Sequence, residues 1–174
     1  MLDIRALLAQ KFTADDAQRA FDDWGCNCGP GAIAGVLGLT LDEVRPHIPE
    51  FDTKRYTNPT MMNAALRSLG IRFAKVGRTW PGFGLMRIQW EGPWTEPGVP
   101  MAARYRYTHW IGGFKGLHSY WVFDINAINN GSGWTKRENW EAHMVPLLCS
   151  LYSRAYGSWH LTHALEISTT DRRG

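Results

Sequence analysis

The chain has 174 residues and a net charge of +3, long enough for a single domain over residues 1–174 with its own core and too short for two ordinary ones. Its lysines and arginines are scattered rather than massed, which argues against nucleic acid as a partner. Cys26, Cys28 and Cys149 make an odd set, so a disulfide framework is not indicated and a cytoplasmic or otherwise reducing compartment is expected, with no signal peptide or membrane-length apolar run.

Leu2–Gln10 and Ala14–Trp24 read as short helices, the second led by Thr13 and carrying Ala17, Ala20, Phe21 and Trp24 on one side. The stretch that follows organises the chain: Cys28-Gly-Pro-Gly-Ala-Ile-Ala-Gly-Val-Leu-Gly38. A proline in a first helical turn needs no backbone donor, so a helix is expected to start at Cys28 with the thiol as its cap. The unpaired N–H groups and partial positive charge of such a start favour a thiolate. Ala32, Ala34, Gly35 and Gly38 keep the helix thin. The alternative is that Cys28 is a small buried core residue, which leaves the Gly-Pro-Gly flank and a downstream histidine and carboxylate without a use. Cys26-Asn-Cys28 lacks the paired knuckles of a zinc site, and no metal or other cofactor is expected. Thr40-Leu-Asp-Glu43 has capping-box spacing and opens a short helix ended by Pro46 and Pro49. Thr57-Asn-Pro-Thr opens another, with Met61, Met62, Ala65, Leu66 and Leu69 at helical spacing and Gly70 as its stop.

Beyond Gly70 the period changes. Ile71–Val76 reads as a strand, residues 77–84 as a loop, and Leu85–Trp90 as a strand with Leu85, Arg87 and Gln89 outward against Met86, Ile88 and Trp90. All tryptophans but Trp24 fall after residue 79. Those in the Pro- and Gly-rich loops either line a substrate groove or pack the core, and the candidate groove residues are Trp24, Trp80, Trp94 and Trp110. From Arg104 to Ile111, period two puts Arg104, Arg106 and Thr108 on one face and Tyr105, Tyr107, His109 and Ile111 on the other. A turn with Gly116 and Leu117 as its loop residues would return Tyr120–Asn126 as the partner strand. His109 then lies opposite Asp124, with Cβ atoms about 5 Å apart, and Asn126 follows on the same face as an alternative orienting residue. Trp134–Tyr152 reads as a helix bent at Pro146, with Cys149 in the core. Ser158–Ile167 reads as a strand with His160, Thr162, Ala164 and Glu166 on one face, which places His163 on the other and denies the two histidines a metal that they could share only if the segment were helical.

A thiol at a helix start, a histidine opening a strand and a carboxylate on the paired strand are what a cysteine nucleophile requires. Cys28 would attack, His109 would move the proton, and Asp124 would fix the histidine tautomer, while the Cys28 backbone N–H would be one donor to the oxyanion. At these residues the chain resembles the papain-like cysteine peptidases, closest in pattern to the bacteriocin-processing group. Their Cys-Gly-Pro followed by small residues looks like Cys28-Gly-Pro-Gly-Ala-Ile-Ala34, and their later histidine and Asp about fifteen positions on look like His109-Trp-Ile and Asp124. The resemblance covers about residues 18 to 127. It implies an α+β fold, an N-terminal helical part with the nucleophile helix packed on a C-terminal antiparallel sheet, and hydrolysis of a peptide or protein substrate through a thioester. It departs at one place, where a glutamine about six positions before the cysteine is replaced by Asp22, whose charge would oppose an oxyanion. Asn27, Gln18 and the Trp24 indole are the candidate substitutes. The competing expectations are a peptidoglycan amidase or endopeptidase of the same superfamily and a catalytically inactive peptide-binding module.

Overall fold

The computed structural model describes residues 12–25, 27–130 and 132–168; the expected Leu2–Gln10 helix, Cys26 and the end of the chain lie outside them. Local capping chemistry sets the first helices. Thr13 and Asp16 form a reciprocal capping box, at 3.2 and 3.1 Å, that starts α1 (Ala14–Trp24). Helix α1 buries Ala20 and Trp24, but Phe21 is 57% exposed rather than on the core side. Helix α2 (Cys28–Leu37) is buried from Gly29 onward. Its small residues are dictated by what it lies on: a Cβ at Gly31 would stand 2.5 Å from Ile125 Cδ1, and one at Gly35 would run into the Phe123 ring. The Thr40 box opens α3 (Leu41–Val44), which passes into a 3-10 turn through Pro46 and then α4 (Phe51–Lys54). Asn58 Oδ1 accepts the Met61 N–H at 2.9 Å and caps α5 (Pro59–Ser68), which buries Met61, Met62, Ala65 and Leu66.

The sheet comprises β1 (Phe73–Gly77), β2 (Phe83–Trp90), β3 (Thr108–Lys115), β4 (Tyr120–Phe123), β5 (Trp134–Lys136) and β6 (Trp159–Ile167), in the order β1-β6-β2-β3-β4-β5 with every neighbour antiparallel. The N-terminal helices cover the face of Leu85, Trp110, Phe114 and Leu165. Trp140, Met144, Val145 and Leu148 cover the opposite face, formed by Met86, Ile88, Ile111 and Ala164. Both faces of β2 are therefore buried at all of its positions, and Leu85, Arg87 and Gln89 do not face solvent as their alternation suggests.

Four further expectations are corrected. Strand β3 begins at Thr108, because residues 101–104 form the short helix α6 (Met101–Arg104) and Tyr107 takes φ 51°, which breaks extension from Arg104. Gly116 donates its N–H to the Ser119 carbonyl at 2.9 Å, so Leu117 and His118 are the loop residues and Gly112 faces Phe123; the β3–β4 register is two positions from the expected one. Trp134–Lys136 is a strand, and the helical stretch starts at α7 (Arg137–Asn139). It then widens into a π-turn (Trp140–Met144), in which the Val145 N–H reaches back to the Trp140 carbonyl, before α8 (Val145–Ser150). Pro146 has no N–H to give its i−4 carbonyl, and its ring would crowd that oxygen, which accounts for the wide turn. In β6 the ladder steps from Arg87↔His163 to Ile88↔Leu161. Thr162 is the extra residue of a bulge, so His160 and His163 share a face instead of opposing one another. Among the described residues no helix is long and apolar enough to cross a membrane.

Candidate active site

Cys28 is the first residue of α2 rather than its cap, a position held by Asn27, and is half-buried. Asn27, at the cap position, does not turn its side chain back on the helix; its Nδ2 donates to the Ala17 carbonyl at 3.1 Å and ties the helix start to α1. The next residue is glycine of necessity, since a Cβ at Gly29 would collide with the Thr57 side chain. Thr57 in turn accepts the Trp110 indole N–H through its carbonyl at 3.3 Å. The first turn of α2 thus leans on one side against the partner of Trp110, the residue after His109, and on the other against Ile125, the residue after Asp124.

His109 and Asp124 meet in the interior. His109 Nε2 lies 3.0 Å from Asp124 Oδ1, with the histidine side chain 8% exposed and the carboxylate 0%. The register differs from the expected one by an even number, so the parity of the side chains is kept. The chain turns into the 3-10 segment Ile125–Asn130 just past β4, and Asp124 reaches the ring from that corner. The carboxylate is saturated with donors: Trp140 Nε1–H gives to Oδ2 at 2.8 Å, and Asn126 gives both its backbone N–H and its Nδ2–H to Oδ1 at 2.9 Å. Burial alone would push the Asp124 carboxyl up. The attraction of His109 and the hydrogen bonds from His109, Trp140 and the Asn126 backbone more than reverse that, and the group stays below the usual carboxylate range. An ionised carboxylate only accepts, so Nε2 carries the ring proton and Nδ1 is left as the basic nitrogen. Asn126 Nδ2 stands 3.4 Å from His109 Nε2 but serves the carboxylate, which makes Asn126 a support of Asp124 rather than its substitute.

Gln18 and Asn27 line one hollow of about 190 Å³ together with Phe21 and Asn126. Gln18 Nε2 donates to Asp22 Oδ1 at 2.9 Å, so the carboxylate at the departing position is engaged along α1. Among the groove candidates, Trp24 and Trp110 are core residues, 4% and 1% exposed. The Trp24 indole N–H is bonded to Asp52 at 2.8 Å and its ring packs against Phe51, so neither presents a groove wall. Trp80 is wedged against Tyr120 and Trp159 under the Arg137 guanidinium. Trp94 lines a hollow of about 290 Å³ with Tyr107, Arg106 and Arg154. Cys149 is half-buried against the second core layer.

Sequence reasoning misses two residues near the site. Trp140 has no local signal at all, because its indole N–H finds Asp124 only through the tertiary fold. Arg87 is 6% exposed, on the helix-covered face of β2; the unusual signal is a charged residue in a run otherwise fit for a central strand. No protein-family model matches the chain, and no curated protein matches it. What the fold itself defines is an α+β protein in which helices precede a six-stranded antiparallel sheet.

Proposed function

We propose that this protein is a cysteine peptidase or related amide hydrolase of papain-like type, acting on a peptide or protein substrate. In this reading Cys28 Sγ attacks the scissile carbonyl carbon and its proton passes to His109 Nδ1. The ring then protonates the leaving amine, and water releases the acyl group from the Cys28 thioester. Asp124 holds the Nε2–H tautomer and offsets the charge of the imidazolium. The Cys28 backbone N–H is one oxyanion donor, and Asn27 or Gln18 supplies the second from the adjoining hollow. The observation that carries the reading is the buried His109–Asp124 pair, at 3.0 Å with every carboxylate oxygen satisfied, beside a helix whose first turn meets Ile125 directly and Trp110 only through Thr57.

The test is hydrolysis of fluorescently labelled casein with mass-spectrometric mapping of iodoacetamide adducts. Wild type should cleave and carry its fastest adduct on Cys28, and Cys28→Ala should do neither. Adducts confined to Cys26 or Cys149 would sink the proposal, and peptide binding unchanged by Cys28→Ala with no cleavage would identify an inactive binding module. Action on peptidoglycan crosslinks is a second reading. It is favoured by the hollow where Arg106 and Arg154 flank Trp94 and Tyr107, since cationic and aromatic walls suit an anionic glycopeptide. Release of soluble fragments from purified sacculi by wild type but not by Cys28→Ala separates it from the first.

A further inference from the structure

Arg87 is a charged side chain buried within the sheet. It lies mid-strand in β2 at 6% exposure, where a permanently charged guanidinium is stable only when its charge is matched. Its Nη2 donates to Thr108 Oγ1 at 3.0 Å, and its Nε has no hydrogen-bond partner. Among the described residues no Asp or Glu forms an ion pair with it.

The titratable groups that face Arg87 come from three directions. Tyr105 lays its ring 5.7 Å from the guanidinium carbon. His163 sits across the β2–β6 ladder, its Nδ1 buried without a partner; burial, then Arg87, Arg78 and Lys75, hold its imidazole below the ordinary value and keep it neutral. The third is Cys28. Arg87 is the ladder partner of Trp110, Trp110 is bonded to the Thr57 carbonyl, and Thr57 fills the space beside Gly29, so the start of α2 and the guanidinium share one side of the sheet. Burial draws Arg87 below the ordinary arginine value, and Cys28 is the largest influence opposing that. Tyr105 thus offers a ring face, His163 a neutral ring, and Cys28 an ionisable sulfur.

We infer that Arg87 is the fixed counter-charge of a Cys28 thiolate, a positioning residue that keeps the sulfur ionised ahead of any proton exchange with His109. The inference rests on the reading of Cys28 as the nucleophile. It explains why a charge stands in a strand buried on both faces.

The experiment follows the alkylation rate of Cys28 by iodoacetamide against pH in the full chain, with Cys149 as internal reference. In wild type Cys28 should outpace Cys149 at pH 6. Arg87→Met, which keeps the volume and removes the charge, should slow Cys28 about tenfold at that pH while leaving Cys149 unchanged, since loss of an opposite charge disfavours the thiolate. Arg87→Lys should restore most of the rate. A methionine profile superimposed on wild type overturns the inference, as does a lysine variant displaced as far as the methionine one. A measurement on wild type alone stands if the methionine variant does not fold: the rate of anionic iodoacetate relative to iodoacetamide should be higher at Cys28 than at Cys149 and should fall with added salt. Equal ratios overturn the inference. A wild-type Cys28 that titrates like Cys149 overturns it together with the nucleophile reading, whereas a readily ionised Cys28 indifferent to Arg87 overturns it alone.

Discussion

Replacing Asp124 by Asn isolates what the buried carboxylate contributes. The native group accepts from His109 and from both donors of Asn126 on Oδ1, and from Trp140 on Oδ2. An asparagine has one oxygen to offer, so either the Trp140 N–H or the Asn126 donors must face an NH2. One buried donor left unmatched costs about 1–3 kcal/mol, and the bonds that remain lose their charge assistance, a further 1 kcal/mol or so. The expected loss is about 2–4 kcal/mol, a large share of the roughly 5–15 kcal/mol that holds a domain folded. Urea unfolding followed by tryptophan fluorescence at pH 7 measures it. The acid side gives a second signature. Because the folded-state value of Asp124 lies below the ordinary one, its carboxylate contributes stability that is complete above the unfolded value of about pH 4 and is lost as pH falls through the folded one. The gap between wild type and Asp124→Asn should therefore narrow below about pH 4. Casein turnover should fall by about a hundredfold or more, the histidine having lost the partner that fixes its tautomer. An unchanged urea midpoint at pH 7, with a gap that does not depend on pH, would refute an ionised Asp124 held by these four hydrogen bonds.

Trp140→Phe keeps a ring in the second core layer but removes the donor to Asp124 Oδ2, and should cost about 1–3 kcal/mol in urea melts and lower turnover in step. Gly35→Ala drives a methyl into the Phe123 ring; overpacking of about 1–3 kcal/mol outweighs the helix-propensity gain of at most about 1 kcal/mol, and thermal unfolding should show a net loss. Phe21→Ala removes an exposed ring from the hollow that Gln18 and Asn27 share, so stability should stay within about 0.5 kcal/mol while KM for a cleaved peptide rises. Cys149→Ser should leave both turnover and the Cys28 adduct in place, which peptide mapping reads directly.

The helix starts are the most legible part of this sequence, because a cap is settled within four residues. Thr13 and the Thr40–Glu43 pair act where the local pattern puts them and Asn58 caps α5 from within the expected Thr57-Asn-Pro-Thr opening, whereas Asn27 and not Cys28 holds the cap of α2. Features decided across the fold are not legible in this way. The meeting of His109 and Asp124 shows in parity but not in register, since period two tolerates an even slip and the exposed Leu117 gives no cue to where the loop lies. Alternation alone places Arg87 in solvent, because it reports which residues differ in polarity and cannot report that a second layer covers the polar side. The Thr162 bulge inverts the faces of the two histidines for the same reason: an extra residue in one strand is visible only against its partner. Trp134 reads as helical because an aromatic beside a helical run carries no mark of the three-residue strand β5.

The place of β6 in the sheet has a bearing on how the molecule comes together. The last described strand lies between the first two, β1 and β2, so a ribosome must deliver Ile167 before Phe73 can gain the neighbour opposite it. Until then β2 presents an apolar margin with no backbone partner on that side, the kind of unfinished border that invites intermolecular pairing. Loop closure over so many residues is slow, which makes removal of β6 a damaging truncation.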